Sequence, residues 1–123
     1  MIKKEYPKGK LEICVGKKGQ VFTREIIDGR LVYFEWVGKN NGLVEGEKIE
    51  IHRFRTFVDH GQYIESGFPY SRRNEEEKFA REHLAILQEF CEKKNIKIID
   101  LSGGRLELLG LTKLNKEISG MGY

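Results

Sequence analysis

The sequence predicts an α+β domain: an antiparallel β-meander of about four strands, followed by one long amphipathic helix and a short β-rich C-terminal segment. Apolar and polar residues alternate through the first half of the chain, which is typical of strands with one buried face. After residue 74, apolar residues recur every three or four positions, which is typical of a helix. Only two prolines and no repeat or linker interrupt the 123 residues, so we expect a single domain over 1–123.

The meander is predicted from four stretches of alternating residues: 10–15, 20–28, 30–38 and 47–59. Asp28 and Gly29 lie between the second and third stretches. This dipeptide favours a tight hairpin because it tolerates positive φ.

The helix is predicted over residues 74–94. Asn74 with Glu77 resembles a capping box, and Lys93 suits the negative end of the helix dipole. Beyond the helix, residues 96–100 predict a short strand, and residues 105–111 predict a further strand or a short helical turn.

Composition excludes several classes of protein. Hydrophobic residues form 39% of the chain and the net charge is +3, which fits a packed core and is too small a basic excess for wrapping nucleic acid. No apolar run approaches the roughly 18 residues of a membrane span, so we expect a soluble protein of a reducing cytoplasm, without a membrane partner. Cys14 and Cys91 are too few for a disulfide framework, and the histidines lack ligand spacing, so neither a metal nor a cofactor is expected.

Two arginines interrupt apolar rows in the predicted strands. Arg24 lies between Phe22 and Ile26 on one face of the second strand, and Arg53 continues a row that contains Ile51 on the fourth. A buried guanidinium is costly unless it is paired, and its planar fork fits phosphate, so these arginines predict an anion site. Two alternatives stay open. A β-bulge could reset the register, or the arginines could pair with nearby acids, namely Glu25, Glu35 or Glu50.

Two further segments are candidate parts of a binding site. Phe68 to Asn74 combines aromatic residues with Arg72 and Arg73 directly before the helix, which suits a phosphate and a flat ring. The alternative is a hydrophobic staple with solvated arginines. The glycines at 103–104 permit close backbone approach, and Arg105 follows them.

The sequence contains no complete catalytic set. No nucleophile motif accompanies His60 or His83, and neither a P-loop nor a dinucleotide-binding fingerprint occurs; His83 is expected as a packed core histidine. We therefore expect a non-catalytic binding module for a phosphorylated, ring-bearing small molecule, because the cations are dispersed rather than gathered into a stripe. The alternatives are a small RNA- or DNA-binding domain that uses residues 52–57, and an enzyme that acts on phosphoesters through a histidine.

The layout of a β-meander, one long helix and a short β-tail, with arginines at four spaced positions, resembles the phage-encoded Thoeris anti-defence sponge proteins of the first type; those positions are Arg24, Arg53, Arg73 and Arg105. The resemblance implies a protein that is not an enzyme. Such a protein sequesters the cyclic ADP-ribose isomers made by bacterial TIR enzymes and so blocks anti-phage defence in the cytoplasm of the host bacterium.

The resemblance also implies roles for residues. It assigns the ligand's pyrophosphate and ribose to the four arginines, its adenine to Phe79 and an amide contact to Gln88. A second site for cyclic oligonucleotides would use three further arginines: Arg55, Arg72 and Arg81. It implies a homo-oligomer, a dimer or larger, with ligand near the subunit interfaces. The apolar segment Leu106–Leu111 favours such an oligomer independently, because it has more leucines than one short element needs.

Overall fold

The computed structural model of the protein describes residues 3–8, 11–27, 29–67 and 73–111. These residues form eight strands and two helices: β1 (Lys3–Lys8), β2 (Leu11–Val15), β3 (Val21–Ile27), β4 (Arg30–Val37), β5 (Lys48–Ile51), β6 (Arg53–Asp59), β7 (Ile64–Ser66), α1 (Arg73–Lys93), β8 (Lys97–Asp100) and α2 (Arg105–Leu108). The predicted α+β class is confirmed. The predicted hairpin residue Asp28 and the predicted site residue Arg72 lie outside the described residues.

Six strands form one antiparallel sheet in the order β1-β2-β3-β4-β6-β7. The meander is therefore confirmed, but it is longer than predicted, because β1 and β7 add a strand at each edge. Both were missed for reasons visible in the sequence. β1 contains Pro7 among charged residues, and β7 is only three residues long.

The predicted fourth strand is wrong as a single element, because the chain breaks at His52 between β5 and β6. The N–H of His52 donates to the carbonyl oxygen of Val37 at 2.7 Å, which holds the break against the end of β4. β5 leaves the large sheet and pairs with β8 in a two-stranded parallel sheet. The buried row changes parity here, from Ile49 and Ile51 in β5 to Thr56 and Val58 in β6.

Gly38 permits the close approach of β4 to β5. A Cβ at this position would overlap the backbone carbonyl of Glu50, so any other residue must push the strands apart. The neighbouring N–H of Glu50 donates to the carbonyl oxygen of Lys39 at 3.2 Å. The turn that redirects the chain therefore depends on a glycine at position 38.

The core lies between one face of the large sheet and α1, and we call that face the inner face. Phe34 and Trp36 of β4 pack there with Leu84 and Leu87 of α1, all at most 1% exposed. The predicted helix is confirmed to within one residue at each end. The predicted strand at 96–100 is confirmed as β8, and residues 105–108 form the helical turn.

The leucine-rich segment is mostly part of this core. Leu106, Leu109 and Leu111 are at most 4% exposed, whereas Leu108 is 74% exposed. Three of the four leucines are therefore used within one chain. The expected homo-oligomer stays a prediction, and this segment no longer gives it independent support.

Candidate functional site

The outer face of the sheet, opposite α1, carries two adjacent rows of side chains across β3, β4 and β6. Cross-strand pairing aligns Phe22 with Glu35, and Glu35 with Arg55. In the next row, Arg24 is opposite Tyr33, and Tyr33 is opposite Phe57. Neighbouring strands lie about 4.8 Å apart, so each side chain touches its row partners. We call these six residues the outer-face array: Phe22, Arg24, Tyr33, Glu35, Arg55 and Phe57.

A cleft of approximately 450 Å³ opens on this array. Phe22 and Phe57 are its walls, and Tyr33 and Glu35 of the strand between them are its floor. Ile64 of β7 and the β2–β3 turn complete the lining, and the turn brings two lysines, Lys17 and Lys18. The volume and the mainly apolar lining are typical of sites for small molecules.

The aromatic rings of the cleft contact one another and the neighbouring guanidinium groups. Phe22 and Tyr33 meet edge to face, with ring centroids 6.2 Å apart and an interplanar angle of 81°. The guanidinium of Arg55 lies 4.9 Å from the ring centroid of Phe57, and that of Arg24 lies 5.8 Å from the Tyr33 ring. The Tyr33 and Phe57 rings therefore each already contact a flat cation.

Gly16 makes room for the Phe22 wall. A Cβ at residue 16 would lie 3.2 Å from Cε2 of Phe22 and 2.5 Å from Oε1 of Gln20. Gln20 in turn accepts a hydrogen bond from the backbone N–H of Lys18 at 3.0 Å. The turn that carries the lysines is thus fixed against the cleft.

Arg24 is not where the alternation predicted it. The buried residues of β3 are Val21, Thr23 and Glu25, so Arg24 belongs to the outer row, and the prediction that it interrupts a core-facing row is wrong. Its Nε donates to Oε1 of Glu12 at 2.6 Å and its Nη1 to the Tyr33 hydroxyl at 3.2 Å. Burial lowers the pKa of Arg24, but the hydrogen bonds to Glu12 and Tyr33 outweigh that effect and the pKa is raised.

Arg53 is likewise exposed on the outer face, and the prediction that it continues the buried row of Ile51 is wrong. The register is reset at His52, but by a break between two strands of different sheets and not by the β-bulge that the alternative interpretation proposed. Arg53 is opposite Val37 and Arg24 is opposite Tyr33. These positions on β4 are separated by four residues, or about 13 Å, so the two arginines do not converge on one phosphate.

The other predicted ligand residues are distributed around the fold. Arg73 is the first residue of α1, Phe79 is partly buried against the core, and Gln88 is partly buried on the same helix. Arg105 stacks on Phe54, with 5.2 Å between its guanidinium carbon and the ring centroid. Because α1 covers the inner face, Phe79 and Gln88 do not line one site with the outer-face array within a single chain.

Two of the three residues predicted for a second site have local partners. Arg81 is exposed and pairs with Glu77 one turn earlier, with Nη2 and Oε2 3.1 Å apart. Arg55 belongs to the outer-face array, and its Nε lies 3.7 Å from Oε1 of Glu35. Of the two, Arg55 is thus the one that contacts lining residues of the cleft, namely Glu35 and Phe57.

A buried polar cluster joins α1 to the inner face. His83 is fully buried, which confirms its expected place in the core, and its Nδ1 lies 2.8 Å from the Thr23 hydroxyl. Its Nε2 donates to Oε1 of Glu25 at 2.8 Å, since a carboxylate can only accept. The Trp36 Nε1–H donates to the same Thr23 hydroxyl at 2.9 Å. This cluster explains why Thr23 and Glu25 are buried, and thereby why Arg24 faces outward.

Comparison with known proteins gives no relative. No family model, no curated protein and no solved structure matches this chain. Within the described ranges, no three or more metal-ligating side chains gather in one place, and neither helix is long and apolar enough to cross a membrane.

Proposed function

We propose that this protein is a non-catalytic binding protein for a nucleotide-type small molecule, held in the outer-face cleft. The aromatic cleft with cations at its rim is the observation that carries the proposal. The strands of Phe22 and Phe57 are two spacings apart, and the two residues are offset by two positions along them, so their Cα atoms are about 12 Å apart. A flat ring between two others needs about 7 to 8 Å, so the space above Tyr33 and Glu35 has room for a base. Lys17 and Lys18 offer cations to its phosphates at the end of the cleft.

The charge balance favours a small ligand over a long polymer. Glu12 neutralises Arg24, and Glu35 faces Arg55, so two cations of this face already have carboxylate partners. Binding of a polymer needs many unpaired cations along a track. The remaining cations of the turn match a ligand with one to three phosphates.

The lining supports binding rather than turnover. Among the described residues of the cleft, Glu35 is the single acid, and no histidine, serine or cysteine lines it. The described lining therefore offers no serine or cysteine nucleophile with a histidine base beside it. A sequestering protein needs affinity and slow release, not preference for a transition state. The cyclic ADP-ribose isomers that the resemblance implies belong to this ligand class.

Titration calorimetry on the full chain tests the proposal, with AMP, GMP and a cyclic ADP-ribose isomer as probes. Phe22→Ala is expected to weaken the best ligand by about 1–3 kcal/mol, the usual value of one stacking contact. Ile26→Ala is the matched control, because Ile26 is 52% exposed on the same strand and does not line the cleft. Binding that responds equally to both variants, or no binding of any probe at millimolar concentration, contradicts the proposal.

The absence of turnover has its own test. Ligand released by heat from the complex after a long incubation is expected to keep its original mass. A changed mass would show that the cleft catalyses a reaction, which would exclude a purely sequestering function.

A single-stranded nucleic-acid domain is the second candidate, because an accessible sheet face with aromatic and basic side chains is the usual platform for unpaired bases. The dependence of affinity on salt concentration distinguishes a nucleic-acid domain from a binding protein for a small nucleotide. A polymer that displaces several counterions loses affinity steeply as salt rises, whereas a mononucleotide shows a shallow slope. We expect the shallow slope, and tighter binding to an oligonucleotide than to any mononucleotide would favour the second candidate.

A further inference from the structure

Glu35 is an unusual side chain for the floor of an aromatic cleft. Its side chain is 16% exposed, and its row partners are Phe22 on one side and Arg55 on the other. The contact with Arg55 is an ion pair at 3.7 Å, which is too long for a hydrogen bond. At 16% exposure water reaches the remaining lone pairs of this carboxylate, and paired N–H groups of a ligand that enters the cleft can replace that water.

We propose that Glu35 makes the cleft selective for guanine, an inference that rests on the proposed function. A base that enters edge first between Phe22 and Phe57 presents its Watson–Crick edge to the floor. Guanine has two adjacent donors on that edge, N1–H and the 2-amino group, and the two oxygens of a carboxylate accept both. Adenine presents one donor beside the acceptor N1, which a carboxylate repels. The cleft therefore selects the one common base with paired donors, which places guanine nucleotides ahead of the cyclic ADP-ribose isomers within the proposed ligand class.

The array also fixes the position of this carboxylate. Glu35 lies on β4, between β3 and β6, so its backbone is paired on both sides. Arg55 holds the carboxylate from one side by charge, and the Phe22 ring bounds the other. A carboxylate held on a central strand loses little freedom on binding, which strengthens discrimination between bases.

The test is the order of affinities for GMP, IMP and AMP, measured by calorimetry on the full chain and on Glu35→Gln. The wild type is expected to bind GMP about tenfold or more tightly than AMP, with IMP between them because it keeps N1–H and lacks the 2-amino group. Glutamine offers one acceptor and one donor, which match the 6-amino group and N1 of adenine. Glu35→Gln is therefore expected to reverse the order, so that AMP binds more tightly than GMP.

Glu65→Gln is the matched control, because the same acid-to-amide change on β7 falls outside the cleft. Equal affinities for GMP and AMP in the wild type would overturn guanine selection and leave nucleotide binding standing. No affinity for any nucleotide would overturn both. The wild-type comparison of GMP with its N1-methyl derivative needs no variant. It is expected to show about a tenfold loss or more on methylation, and equal binding would refute the role of Glu35 even if Glu35→Gln failed to fold.

Discussion

The buried histidine–glutamate pair should be worth far more to stability than an exposed pair of the same geometry. His83 and Glu25 lie 2.8 Å apart with side chains 0% and 7% exposed, whereas His60 and Glu65 lie 2.9 Å apart with side chains 18% and 44% exposed. His83→Ala leaves the Glu25 carboxylate buried without this partner, which costs about 3–5 kcal/mol. His60→Ala is expected to cost about 1 kcal/mol or less, because solvent replaces the lost partner.

Urea unfolding of the full chain at pH 7 measures both losses. Replacing both buried partners, as in His83→Leu with Glu25→Leu, should recover a large part of the loss, because no unpaired charge then remains in the core. Equal losses for His83→Ala and His60→Ala would refute the reasoning. It would show that burial does not set the cost of breaking these pairs.

Three further predictions concern the fold and the cleft. Burial raises the pKa of the Cys91 thiol to about 12, so the thiol ionises only in the unfolded state between its ordinary pKa of about 8.5 and 12. The free energy of unfolding should fall with rising pH in this window, and the wild type should lose about 1.5 kcal/mol relative to Cys91→Ala between pH 8.5 and 10 in urea titrations. Gly38→Ala should destabilise the protein more than Gly46→Ala, because the new Cβ at 46 meets no atom within 4 Å and costs only the roughly 1–2 kcal/mol of its positive φ of 82°; similar melting temperatures would contradict this. Arg24→Ala should lower stability by about 1 kcal/mol or more through loss of its hydrogen bond to Glu12, and calorimetry should show its effect on ligand affinity to be smaller than that of Phe22→Ala.

Local signals in the sequence were sufficient for the elements that local interactions stabilise. α1 was predicted to within one residue because its period and its terminal charges agree. The prediction of one long strand at 47–59 was wrong because the break in it depends on a pairing partner far along the chain. β5 pairs with β8, which lies beyond the helix, and no local signal reports a parallel partner.

The prediction of the site residues on β3 was wrong for a similar reason. Counting apolar residues makes the Phe22 and Ile26 row of β3 look like the buried one. The buried row contains Thr23 and Glu25 instead, because His83, 60 residues after Thr23, satisfies both. A polar cluster formed by a distant helix thus reverses which face is the core, and the aromatic residues of the cleft become accessible. Sequence reasoning missed Phe22, Tyr33 and Phe57 as residues that line the cleft, although their alternation with buried neighbours was visible.

Nuclear magnetic resonance of the ¹⁵N-labelled full chain during titration with GMP tests the central claim most directly. Amide shifts are expected to change at the cleft strands and the lysine turn, at Lys18, Phe22, Glu35 and Phe57. Amides of the charged surface beside β5 and β8, which includes Lys48, Glu50 and Lys97, should keep their positions. Shift changes confined to that surface, or no changes at millimolar GMP, would contradict a nucleotide site on the outer face of the sheet.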